Sequence, residues 1–116
     1  MKPKLLIVGD VGIEIICELR HMPEPAEVLA EDKYSFLPGA EAGNSALCAD
    51  GLGVSAQLCS RVGKDGNAAR LRSFFYENNI DTGTIFTDSS AQTALTVYLS
   101  DTSRASVRTI EYRAAA

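Results

Sequence analysis

A chain of 116 residues fits one domain, and 46% hydrophobic with 22% charged residues is enough for one modest core, which excludes a disordered chain. Eleven basic side chains against fifteen acidic ones leave a net charge of -4. No Lys/Arg cluster exceeds an isolated pair, so a nucleic-acid surface has no electrostatic footprint.

In chain order, Lys4 to Gly9 is a short apolar run bounded by glycine and predicts a central strand buried on both faces. Lys2 and Lys4 could open a signal peptide, but Asp10 and Glu14 interrupt the apolar stretch too early for that or for a membrane span. A cytoplasmic location is therefore expected. Val11 to Leu19 reads as a half-exposed strand, Pro23 and Pro25 break the chain, and Val28 to Leu37 is extended up to Pro38. Asn44 to Leu52 carries apolar residues at helical spacing, with Asn44 or Gly43 placed to cap and Gly53 to terminate.

Ser55 to Val62 returns to strand character, and Asp65 to Asn79 is the clearest helix. Ala69, Leu71, Phe74 and Phe75 supply its apolar face, Arg70, Arg72 and Glu77 its wet one, and Asn78-Asn79 a stop. Strands follow at 84–87, 93–100 and 106–112, the last two joined by Asp101-Thr102-Ser103-Arg104, a composition that suits a hairpin turn. This order predicts an α/β fold: a parallel sheet flanked by helices, with a separate antiparallel flap, or lid, from the pairs at 11–37 and 93–112.

Cys17, Cys48 and Cys59 are odd in number and widely spaced, with a single histidine in the chain. Reduced core thiols are expected, with no disulfide framework and no metal site. Gly9-Asp10-Val11-Gly12 lacks the Gly-x-Gly-x-x-Gly pattern, and Gly63-Lys64-Asp65 lacks the upstream glycine and the Ser/Thr of a P-loop. His21 reads as an exposed loop histidine, and neither Ser45 nor any cysteine has a base at recognisable spacing, so no catalytic residue is assigned.

The most informative stretch is Gly39-Ala40-Glu41-Ala42-Gly43-Asn44-Ser45-Ala46, followed by Arg61-Val62-Gly63-Lys64-Asp65-Gly66. Glycines let backbone approach a ligand closely, and Asn44 offers both a donor and an acceptor. This spacing resembles the first signature of the ribokinase, or PfkB, family of carbohydrate kinases, and the resemblance runs from Gly9 to Arg108-Thr109. It implies a sugar site built from Glu14, Gly39, Ala40, Glu41 and Asn44. Glu14 stands where the family has a sugar-binding aspartate, Ala40 where it has a second glycine, and Glu41 where ribokinases often carry lysine. Alanine resists positive φ, so a slightly reshaped loop is expected at Ala40. A bland reading stands beside this one: Glu14 as a surface charge on a half-buried strand, Asn44 as a plain helix cap, Gly63 and Gly66 as turn glycines.

The resemblance implies that a complete protein transfers the γ-phosphate of ATP, with Mg²⁺, to a hydroxyl of a small-molecule sugar or nucleoside. It covers the N-terminal part of the family only, whose members run to roughly two or three times this length. The family's Gly-Ala-Gly-Asp motif, which supplies the catalytic base, does not occur in the sequence. The 116-residue chain alone is thus expected to carry the acceptor site, to bind no cofactor and to be inactive. A rival class is a non-catalytic binding or dimerisation module. Flap strands rich in Val, Ile, Tyr and Thr invite pairing with another chain, so a homo-oligomer through the lid or an exposed sheet edge is expected.

Overall fold

The computed structural model describes residues 4–113; Lys2 and Ala114 to Ala116 lie outside them. Among the described residues nine elements follow in order: β1 (Lys4–Val8), β2 (Gly12–Leu19), β3 (Tyr34–Gly39), α1 (Glu41–Gly51), β4 (Ser55–Gly63), α2 (Gly66–Glu77), β5 (Asp81–Asp88), β6 (Leu95–Asp101) and β7 (Ser106–Tyr112). They form two sheets, a three-stranded parallel one in the order β1-β4-β5 and a four-stranded one in the order β3-β2-β6-β7. The second is the lid. Its hairpin partners run antiparallel as expected, and β2 and β6 join the two pairs side by side in parallel.

The core lies between the helices and one face of the parallel sheet. Ala56, Leu58 and Val62 of β4 and Ile85 of β5 are buried against Ala42, Ala46 and Ala49 of α1 and Leu71 and Phe75 of α2. Small residues on α1 let it lie close to its neighbours; a methyl built on Gly43 would come within 3.1 Å of the Phe75 ring. Both helices therefore cover the same face. Leu6, Val8 and Phe86 point the other way and remain 59%, 71% and 59% exposed.

That arrangement corrects the expectation for the first strand. β1 is an edge, paired only to β4 among the described residues, and it is β4 that runs through the centre. An apolar run tells that a strand meets apolar neighbours, and does not tell on how many sides. The extended segment expected from Val28 begins only at Tyr34, and Val28 is 90% exposed in the preceding loop. Pro38 sits inside β3, which is tolerable because β3 is an edge strand with one partner. On α2 the buried alanine is Ala68, not Ala69, and Phe74 is only half-buried. The cysteines are free, but none is a core thiol: Cys48 is exposed, and Cys17 and Cys59 are half-buried.

The lid is tied to the parallel sheet at the start of α2. Asp65 caps that helix, accepting from the Ala68 amide at 2.9 Å, and also accepts from the Thr93 hydroxyl at 2.6 Å and the Thr93 amide at 2.8 Å. The Thr93 hydroxyl accepts in turn from the Gly63 amide at 3.1 Å. Gly63 must be glycine here, since a side chain would collide with the backbone of Ala91 to Thr93. Partial burial pushes the Asp65 carboxyl up, but the bonds from Thr93 and Ala68 outweigh it and hold the carboxyl below its usual range.

Candidate active site

Where the two sheets meet, the loop after β1 runs into β2, and β3 runs through Ala40 into α1. A cavity of about 450 Å³ opens there. Glu14, Ala40, Glu41 and Asn44 all line it. Four of the five residues implied by the sequence are thus gathered at one place from two stretches of chain, β2 and the loop that runs into α1. Gly39, the fifth, is buried behind them. Its contribution is room: a side chain at Gly39 would overlap the Glu14 carboxyl group.

Glu14 reaches across this gap, and its Oε1 accepts from the Ala40 amide at 3.1 Å. The longer side chain therefore fastens β2 to the loop, with one carboxylate oxygen bound to backbone. Ala40 keeps the glycine-like geometry despite its methyl, at φ 64° and ψ 170°. The loop is not reshaped to suit alanine. Such a backbone costs of the order of 1–3 kcal/mol, and the surrounding bonds hold it in place.

The helix begins earlier than the sequence suggests. Ala40 is the cap of α1 with no side-chain capping bond, so neither Gly43 nor Asn44 caps it. The backbone does this work, because the Ala42 amide donates to the Asp10 carbonyl at 3.1 Å. Asn44 is the fourth residue of the helix and exposed, its amide bonded to the Ala40 carbonyl at 3.0 Å. A cap no longer accounts for its presence, and asparagine is a mediocre residue for a helix interior.

Sequence reasoning missed the lid's side of the cavity: Thr96 and Tyr98 of β6, Glu111 and Tyr112 of β7, and Arg113 just beyond. In register, Glu14 stands beside Thr96, and Thr96 beside Glu111, so three polar side chains form a row across three strands. Alternation along β6 hints that Thr96 and Tyr98 share a face, but only the register puts that face against Glu14. Asp10, also in the lining, stands beside Gly9 at the end of the first apolar run. Arg113 forks onto Glu111 Oε2, through Nε at 2.8 Å and Nη2 at 2.6 Å. A larger hollow of about 710 Å³ lies beside Tyr76 to Thr82, lined by one continuous stretch of chain.

The family model described as pfkB family carbohydrate kinase matches residues 2–116. The chain belongs to that family. Among solved structures, ribokinase from Giardia lamblia is similar at a TM-score of 0.87 and 17% identity, with 99% of this chain and 37% of that one covered. Arabidopsis thaliana ribokinase, complexed with ribose and ATP, gives a TM-score of 0.85 at 20% identity, covering 99% and 37%. The nucleoside kinase of Methanocaldococcus jannaschii gives 0.81 at 21% identity, covering 97% and 37%. Likeness at these identities establishes the fold. No curated protein matches the sequence significantly. The chain spans little more than a third of the length of these pfkB-fold neighbours.

Among the described residues no group of three or more His, Cys, Asp or Glu side chains could hold a metal ion, and no helix is long and apolar enough to cross a membrane. The chemistry these residues support at the cavity is hydrogen bonding to a polyhydroxyl compound: carboxylate acceptors, the Asn44 amide, and the Thr96 and tyrosine hydroxyls.

Proposed function

We propose that these 116 residues form the acceptor side of a carbohydrate kinase, holding a sugar or nucleoside in the cavity between α1 and the lid for phosphoryl transfer from ATP. The observation that carries this reading is the convergence of Glu14, Glu41 and Asn44 on one cavity with Thr96 and Tyr98 of the lid facing them. The free lone pairs of Glu14 accept from sugar hydroxyls, and the Asn44 amide donates and accepts beside it. Binding and orientation are the part of phosphoryl transfer assigned here. ATP and Mg²⁺ belong to the activity of a full-length kinase, and no residue described here is assigned to either.

Titration of the chain with fructose or ribose, followed by amide NMR, tests this. Asn44→Ala and Glu14→Ala should each weaken binding by about 1–3 kcal/mol through lost hydrogen bonds. Asn44→Ala is the cleaner of the two, because alanine suits a helix interior and leaves the fold intact. Unchanged affinity in both variants would return these residues to a helix position and a loop fastener.

A second reading, an assembly module, is favoured by the outward apolar surfaces. Leu6, Val8 and Phe86 share an uncovered sheet face, and β7 is exposed along its whole length. We infer self-association through one of these surfaces, compatible with either function.

A further inference from the structure

We propose that the acceptor cavity takes an uncharged polyol and rejects sugar acids and sugar phosphates, with Glu41 at its rim as the main excluding residue. This rests on the acceptor-site reading above. The loop leading into α1 has the form of an anion site, since a helix N-terminus offers unpaired amides and a positive dipole end. In this chain part of that capacity is already taken. The Ala42 amide is bonded to the Asp10 carbonyl at 3.1 Å and the Ala40 amide to the Glu14 carboxylate at 3.1 Å. Glu41 occupies the first position of the helix, where its carboxylate neutralises the dipole end that would otherwise draw an anion.

The side chains point the same way. Among the described residues, Asp10, Glu14, Glu41 and Glu111 line the cavity against a single guanidinium, Arg113. That guanidinium is engaged twice by Glu111, at 2.6 Å and 2.8 Å. A carboxylate or phosphate entering here meets like charge on several sides, while the guanidinium in the lining is already paired, and like charges within a few ångströms repel strongly in a partly desolvated cleft. A hydroxyl group meets acceptors and neutral donors. The cavity therefore discriminates by charge before it discriminates by ring shape.

The test is amide NMR titration of the 116-residue chain with matched pairs, fructose against fructose 6-phosphate and glucose against gluconate, at low salt. The neutral member of each pair should perturb residues 39–44 and 94–98, and the anionic member should bind at least tenfold more weakly. The gap should shrink as salt is raised, because screening weakens like-charge repulsion. Glu41→Lys should narrow the gap or invert it, and Glu111→Gln, which releases Arg113, should narrow it by a separate route. Equal or tighter binding of the anionic members, or a gap indifferent to both substitutions, overturns the inference while leaving the acceptor site standing. No perturbation of residues 39–44 by any sugar removes the acceptor site, and the inference with it.

Discussion

Ala40 shows most sharply how one residue can keep a family's loop while replacing its glycine. Its φ of 64° and ψ of 170° fall in a region that only glycine visits freely. The strain persists because the Ala40 amide is bound by Glu14 and its carbonyl accepts from Asn44. Ala40→Gly should therefore raise stability by about 0.5–2 kcal/mol, the relieved strain exceeding the extra freedom glycine gives the unfolded chain. Urea denaturation would show the midpoint rising at constant slope; a fall would mean that the methyl contributes packing that outweighs its backbone. At this scale the sequence was readable to an uneven degree. The loop residues announced themselves through glycine spacing, and the lid residues did not, because Thr96, Tyr98 and Glu111 become site residues only through strand register. The cysteines, one exposed and two half-buried, misled for a related reason: a typical preference for the interior says nothing about which face of a helix or sheet is covered.

Among the elements, the junction of β4, α2 and β6 depends on one carboxylate. Asp65 caps the helix and also holds Thr93, so it joins the lid to the parallel sheet. Asp65→Ala should cost about 1–2 kcal/mol, the range for a lost helix cap. The sign of its pH dependence follows from the lowered carboxyl. A carboxyl that binds its proton less readily when folded contributes stability that is fully present above its unfolded value, near pH 4, and that is lost as pH falls through the lower folded value. Urea midpoints measured between pH 6 and pH 2 should therefore fall less steeply for Asp65→Ala than for the parent, and parallel curves would show that the bonds to Thr93 contribute nothing. Elements with both a periodic core and a punctuating residue were the legible ones: α2, from Asp65 to Asn78-Asn79, is the best example. The start of α1 was misplaced because its cap, Ala40, makes no side-chain bond and the Ala42 amide is satisfied by a backbone carbonyl, that of Asp10, which leaves no mark in the sequence.

The molecule as a whole is thin, 54 × 34 × 19 Å along its principal axes, since both helices lie on one face of the parallel sheet. The other face carries Leu6, Val8 and Phe86, and the lid offers Val107, Ile110 and Tyr112 along its outer strand. Surfaces of this kind associate. Sedimentation equilibrium at micromolar concentration should find a dimer or larger species. Phe86→Lys should weaken it if the sheet face is buried, and Val97→Lys with Leu99→Lys if the lid face that β6 shares with Ile110 is; a monomer of 12.4 kDa would show that neither face pairs. The fold class was legible from the alternation of strand and helix patterns and the two hairpin pairs. The one-sided covering of the parallel sheet was not, because a strand pattern carries no record of which faces meet a helix.

The central claim is that the cavity between α1 and the lid holds the acceptor sugar. The most direct measurement is the set of intermolecular NOEs between bound fructose and the isotope-labelled chain. Contacts from the sugar protons to Asn44, Thr96 and Tyr98 together are predicted, since these three flank Glu14 in one cavity. Contacts confined to the hollow beside Tyr76 to Thr82, or sugar contacts to none of the three, would contradict it.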